Sequence, residues 1–201
     1  MQAKNYLTKD KIYCYSESEV LKNKLNLRND KDLERAERFI TGQRQMDLEI
    51  YPINGNFDFE HLKLIHKKLF DDLYEFAGKI RKVDIEKGKS KFCVSKYIQK
   101  EGEKLFKNLK AEDYFQNLDK NNLVIKLAEF IGELIALHPF REGNGRSIRE
   151  FIRNLCYKRG YDFNFQKIDP SKRVEAEILA FNCKYEKLIE ILKKELILLE
   201  E

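Results

Sequence analysis

The segment Leu123–Leu137 (LVIKLAEFIGELIAL) constrains the fold most, because it is apolar nearly all the way round. A helix without a polar face has to be wrapped by other elements, so the chain is expected to be built around it. Pro139 disfavours helical geometry in the residue before it, which sets the end of this helix at His138. Phe140 is the one apolar residue in the loop that follows and is expected to anchor it to the core, while Gly143 and Gly145 permit backbone angles closed to other residues. A second helix is expected over roughly Gly145 to Arg159, ending at Gly160.

The loop carries unusual chemistry. His138, Glu142, a glycine-bounded Asn144, Arg146 and Arg149 fall within twelve consecutive residues. Glycine amides converging at a helix start form an anion site, and arginines on the next turn offer forked donors to several phosphate charges. At roughly 100° per residue, Ile148, Phe151, Ile152 and Leu155 share one side of the second helix; Arg146, Arg149 and Arg153 cluster opposite. Arg153 reads as part of a solvated basic face. Arg146 and Arg149, in the first turn, read as phosphate ligands, and His138 as a base at the mouth of the site.

The rest of the chain reads mostly as helix. Asp30 to Gly42 is charged and helix-prone, Tyr51-Pro-Ile-Asn-Gly is a turn, and Phe59 to Phe70 repeats apolar positions at Leu62, Ile65 and Leu69. A further helix is expected from Ser95 into Leu109, and helical segments over Val174 to Leu199. Between them, Arg81 to Ile98 alternates: Val83 and Ile85, a turn at Lys87-Gly88-Lys89, then Phe92 and Val94. At 201 residues and 42% hydrophobic, one sizeable core is expected, with no composition break that demands two domains. No apolar run approaches the ~20 residues of a membrane span, and the N-terminus lacks a signal-peptide core. Four scattered cysteines without metal-ligand spacing read as reduced thiols of a cytoplasmic protein. His61 and His66, five apart, would face different ways on a helix and make a poor zinc site. A net charge of +5 fits ATP or an acidic partner, and no nucleic-acid-reading motif appears, so direct nucleic-acid binding is not expected.

The run His138–Arg149 resembles the signature of the Fic (filamentation induced by cAMP) family, HPFx(D/E)GNGRxxR, at every defined position. Tyr13-Cys-Tyr, Ser18-Glu-Val-Leu-Lys-Asn-Lys-Leu, Asn56-Phe-Asp-Phe-Glu-His-Leu-Lys, Leu73-Tyr-Glu-Phe-Ala-Gly-Lys-Ile-Arg and Lys87-Gly88 with Phe92 resemble the same family. The resemblance implies an all-α, Fic-type helical bundle with a small β-hairpin flap. It places a single Fic domain over 1–201, with a core of about 50–165 between N- and C-terminal helical extensions. It also implies adenylyl transfer from ATP to a hydroxyl of a target protein. In that reading His138 is the base and Glu142 holds Mg²⁺. Asn144 and the amides of Gly143 and Gly145 cradle phosphate oxygens, and Arg146 and Arg149 bind the outer phosphates. Lys87, Gly88 and Phe92 belong to a flap that docks the target by strand pairing. Gly145 stands where the kinase-like Doc branch has Lys, which favours adenylyl transfer over phosphorylation.

Many relatives carry a self-inhibitory helix with (S/T)xxxE(G/N). Here the nearest stretch is Ser171–Glu175, followed by Ala176 and preceded by Pro170, and it reads as an ordinary helix start. The resemblance therefore implies the toxin half of a toxin–antitoxin pair, inhibited in trans by a small protein that supplies a Glu to Arg149. By analogy its target is a type II topoisomerase. Three alternatives stay open: transfer from another pyrophosphate-containing donor, a catalytically silent nucleotide-binding module, and a DNA-binding module.

Overall fold

The computed structural model of the protein describes residues 10–88 and 90–199. Seven helices are found among them: α1 (Asp30–Ile50), α2 (Phe59–Phe70), α3 (Ile98–Ala111), α4 (Lys120–Leu137), α5 (Asn144–Lys158), α6 (Pro170–Phe181) and α7 (Glu186–Glu195). The all-round apolar segment forms α4. Leu123, Val124, Leu127, Phe130, Ile131 and Leu134 are buried on it, and α3, α5, α6 and α7 all pack against it. The second inner helix, α5, also packs on α2. One contiguous hydrophobic cluster runs from Tyr13 to Leu196.

Most helix starts are fixed locally. Asn29, Asp58, Asp119 and Asp169 cap α1, α2, α4 and α6 by accepting hydrogen bonds from first-turn amides. Helices α3, α5 and α7 have no side-chain cap, and of these α5 alone starts from a left-handed residue, Gly143. That start places uncapped amides beside His138.

The fold departs from the sequence expectations in length more than in kind. Helix α1 runs on past Gly42 to Ile50, because Leu33, Thr41 and Leu48 continue one buried face. That packing outweighs the ~1 kcal/mol helix penalty of a glycine. The C-terminal helical stretch ends at Glu195, after which β4 (Ile197–Leu198) pairs antiparallel with β3 (Tyr161–Asp162). The hairpin is shorter than its alternation implied: β1 (Glu86–Lys87) pairs with β2 (Ser90–Lys91), and Ser95–Tyr97 is already a 3-10 turn leading into α3. Gly88 sits at the tip with φ 59°; Lys89 lies outside the described residues.

Candidate active site

His138 closes α4 with φ 43° and ψ 62°, a left-handed conformation rare outside glycine. Pro139 keeps it from continuing the helix, and Arg81 holds what results. The Arg81 side chain is almost wholly buried; its Nε donates to the His138 carbonyl at 2.9 Å and its Nη1 to that of Val83 at 2.7 Å. Its Nη2 reaches the Cys93 carbonyl, and its backbone N–H bonds Pro139 O at 2.9 Å. One guanidinium thus ties the loop to both roots of the hairpin.

The His138 ring is oriented by Nδ1, 3.2 Å from the Ile135 carbonyl. A carbonyl only accepts, so Nδ1 carries the proton and Nε2 the lone pair. Phe92 stacks on this ring at 3.7 Å between centroids, and Phe181 meets Phe92 edge-on. Burial pushes the His138 pKa down to about 3, with a smaller push from the positive charges of Arg81 and Lys87. The imidazole is neutral at pH 7.

The loop is shaped from beneath. Gly143 has φ 80°, and a Cβ there would stand 2.2 Å from the Phe70 ring, so both angle and contact require glycine. Gly145 departs from expectation: it is an ordinary residue of α5, and its missing Cβ leaves room for Arg149, whose Nη1 would lie 2.9 Å away. The Asn144 side chain staples the loop: its Oδ1 accepts from Phe140 N–H at 2.8 Å and its Nδ2 donates to Phe140 O at 2.7 Å. Phe140 anchors the loop as expected, fully buried and stacked on His66.

His66 is a strut. Its Nδ1 accepts from Gly78 N–H at 2.8 Å, so Nε2 carries the proton and donates to the Glu142 carbonyl at 2.9 Å. Burial lowers its pKa to about 3, keeping that tautomer neutral. The Glu142 carboxylate takes the Gly143 N–H on Oε1 at 3.0 Å and lies 3.6 Å from Arg146 Nη2. Among the described residues no group of three or more His, Cys, Asp and Glu side chains converges. A single carboxylate suits Mg²⁺, which usually takes one or two protein carboxylates and completes its shell with water and phosphates.

The two arginines of α5 meet different surroundings. Arg146 Nη2 pairs with Glu37 at 2.7 Å, Nη1 bonds Thr41 Oγ1 at 3.0 Å, and the guanidinium lies 4.7 Å above the Phe70 ring. The Tyr74 hydroxyl donates to the same Glu37; burial and that carboxylate raise its pKa, so it stays protonated. Arg149 lines a cavity of about 70 Å³ with His138, Gly145, Arg173, Glu177 and apolar side chains of α4, α5 and α7. Its nearest carboxylate is Glu177, at a loose 3.4 Å, and Arg173 Nε is 3.9 Å from that same group. Desolvation lowers the Arg149 pKa to about 10 despite Glu177. Two cations here share one anion.

Of the hairpin residues singled out by sequence, Lys87 and Gly88 are exposed at the tip, while Phe92 turns inward to cover His138. Ser171 does serve a helix start, within the turn capped by Asp169, and Glu175 is exposed and paired with Lys187. At the other side of the loop, Arg141 at the motif's variable position forms a buried ion pair with Asp10, Nε to Oδ2 3.0 Å. Asp10 also accepts the Tyr13 N–H, and the Tyr13 hydroxyl accepts the Lys82 N–H at 3.0 Å.

Sequence reasoning did not assign roles to Glu37, His66, Arg81, Asp10 or Glu177. A usable signal existed for Glu37 and Thr41: they fall at i and i+4 among Leu33 and Leu48, polar residues on an otherwise apolar face.

A helical bundle whose inner helix turns through a His-Pro-Phe loop into an uncapped, glycine-led second helix offers a geometry suited to binding phosphate. The Fic/DOC family matches residues 56–156, and the chain belongs to that family. It is 36% identical to "Probable protein adenylyltransferase Fic" of Escherichia coli, over 78% of each chain. It is 39% identical over 84% of its length to protein adenylyltransferase VbhT of Bartonella schoenbuchensis, of which it spans 35%. Among solved structures, the N-terminal Fic domain of a VirB-translocated effector from Bartonella quintana with bound ADP superposes with TM-score 0.87 at 29% identity, covering 94% of this chain and 95% of that one. BepC of Bartonella tribocorum with bound AMPPNP gives the same TM-score at 24% identity, over 94% and 97%. No helix among the described residues is long and apolar enough to cross a membrane.

Proposed function

We propose that this chain is a protein adenylyltransferase, moving AMP from ATP to the hydroxyl of a Ser, Thr or Tyr on a target protein. The observation that carries the reading is the meeting of three features: a neutral His138 with its lone pair on Nε2, the uncapped first turn of α5, and the under-neutralised Arg149. The target oxygen attacks the α-phosphorus, its proton passes to Nε2, and the bond to the β-phosphate bridging oxygen breaks, releasing pyrophosphate. The first-turn amides of α5 and the positive end of its dipole stabilise charge developing on the phosphate oxygens. Arg149 holds the outer phosphates. Arg146, committed to Glu37, acts chiefly by positioning Glu142. Glu142 would hold Mg²⁺, which when bound offsets phosphate charge. Gly145 stands where the kinase-like branch has Lys, which supports adenylyl transfer over phosphorylation.

The target docks at the hairpin, through the exposed edge at Lys87 and Gly88. The wider reading is a toxin held in check by a small protein acting in trans at Arg149, with a type II topoisomerase as target. It follows from resemblance to related toxins and from Glu175 pointing away from Arg149, toward Lys187.

The test is label transfer into bacterial lysate from α-labelled and γ-labelled ATP with Mg²⁺, for the wild type and His138→Ala. Transfer from the α-phosphate alone, reduced about 10²–10⁴-fold in the variant, is the expected result. Transfer from the γ-phosphate overturns the reading in favour of a kinase. No transfer from ATP, with transfer from another pyrophosphate-containing nucleotide, would change the donor.

A further inference from the structure

Helix α1 shows two unlike faces. Leu33, Glu37, Thr41 and Leu48 face inward and are buried. Turned about 180° away, at roughly 100° per residue, lie Phe39, Met46 and Ile50 on a stripe about 40° wide. Their exposures are 66%, 64% and 67%, so each side chain of the apolar outer face is about two-thirds open to solvent. Gly42 lies beside the middle of the stripe, and a Cβ there would meet nothing within 4 Å. Three large apolar side chains on one line, with an open backbone between two of them, make a contact face rather than scattered exposed residues.

We propose that this face is an interface between two copies of the chain, joined by antiparallel packing of α1 on α1 across a two-fold axis between Gly42 and Gln43. Phe39 and Met46 are self-complementary about that point, and Ile50 falls beside the aliphatic stem of Arg35. Residues whose numbers add to about 85 meet across the axis, which sets Phe39 of each copy against Met46 of the other. Arg35 and Glu49 lie on the same flank of the stripe and are brought together at each end. Arg35 is exposed and has no ion-pair partner among the described residues. Glu49 takes Gln166 Nε2 on Oε1 at 3.0 Å, which leaves Oε2 for a cation. A parallel pairing sets Arg35 against Arg35 and Glu49 against Glu49, so charge selects the antiparallel one. Gly42 lets the two backbones approach where the helices cross.

Helix α1 has 21 residues, about 31 Å of axis, and one face of it makes an interface at or below the low end of the stable class, under about 1,200 Å² in total. The dimer is therefore weak, with a dissociation constant in the micromolar range.

Sedimentation equilibrium of the full chain from about 1 µM to about 500 µM is the test. The wild type is expected to pass from monomer to dimer in that range, and Phe39→Glu with Met46→Glu to stay monomeric with an unchanged circular-dichroism melt. Arg35→Glu and Glu49→Arg singly should each weaken association about tenfold, and together restore it. A wild type that stays monomeric throughout overturns the proposal. So does a dimer that survives the double glutamate variant, which would place the contact elsewhere. Failure of the charge exchange to restore association would refute the antiparallel register, and the circular-dichroism melt separates each result from misfolding.

Discussion

Arg146 and Arg149 stand one helical turn apart on α5 and belong to the same motif, yet their surroundings differ. Around Arg146 the charge account closes: Glu37 at 2.7 Å and Glu142 at 3.6 Å face it, and the pKa of its guanidinium is raised once burial is offset by those carboxylates. Around Arg149 it stays open, with Arg173 competing for Glu177 and a pKa pulled down to about 10. A buried cation whose neighbours leave it short of negative charge binds an anion without first giving up a good partner. The contrast separates two jobs that identical residue types hide. One arginine is closed in by its carboxylates, and the other is the one that the proposed reading assigns to phosphate.

Kinetics should resolve them most sharply. Arg149→Ala is expected to lower kcat/KM for ATP about 10²-fold or more while leaving the urea midpoint nearly unmoved, since it removes a loosely paired cation. An Arg149→Ala enzyme with near-normal kcat/KM would erase the distinction. On the other side, Glu37→Ala should cost about 3 kcal/mol in urea unfolding, because it strands the Arg146 guanidinium and the buried Tyr74 hydroxyl together. Glu177→Ala, at a pair still partly open to water, should cost about 1 kcal/mol or less. Equal losses from the two glutamates would count against the comparison.

This asymmetry also marks how far sequence could reach. The buried helix, its stop before Pro139 and the loop's glycine turn were legible because they depend on neighbours in the chain: the residue before proline, the left-handed Gly143, the periodicity of α4. What α5 faces was not legible. Glu37 approaches Arg146 from a helix over a hundred residues earlier, and Asp10 reaches Arg141 across a longer span still. No local pattern encodes such pairings. The same reason explains Asn144: its residue type fits a phosphate ligand equally well, and only the closeness of the Phe140 backbone commits its side chain to the loop. Hairpin length was missed differently. Beyond Glu86↔Lys91 the hairpin continues only as the Phe92 N–H to Ile85 O bond at 3.4 Å, and alternation reports which side a residue takes rather than how far the pairing runs.

His138 offers a pH test on the Arg149 side of the site. Its pKa of about 3 lies below the ordinary ~6.5, so the neutral imidazole persists as pH falls through the usual histidine range. The acid limb of kcat/KM should therefore lie clearly below pH 6.5. Phe92→Ala uncovers the ring to water, relieves the desolvation that depresses it, and should move that limb upward toward ~6.5. A limb that stays in place in the variant would assign it to another group.

The smallest effect is expected from Glu177→Gln, assayed by ATP binding to the His138→Ala protein, in which turnover does not complicate the measurement. Glu177 is the one carboxylate paired with Arg149 among the described residues, and an incoming phosphate has to compete with it. Replacing it by an uncharged near-isostere removes that competitor and leaves Arg149 and Arg173 unopposed, so ATP affinity should rise a few-fold, about 1 kcal/mol. The same change at Glu37 should not tighten ATP, because Arg146 is occupied in holding the loop. If Glu37→Gln tightened ATP as much as Glu177→Gln, both arginines would be phosphate ligands and the division of labour between them would be wrong.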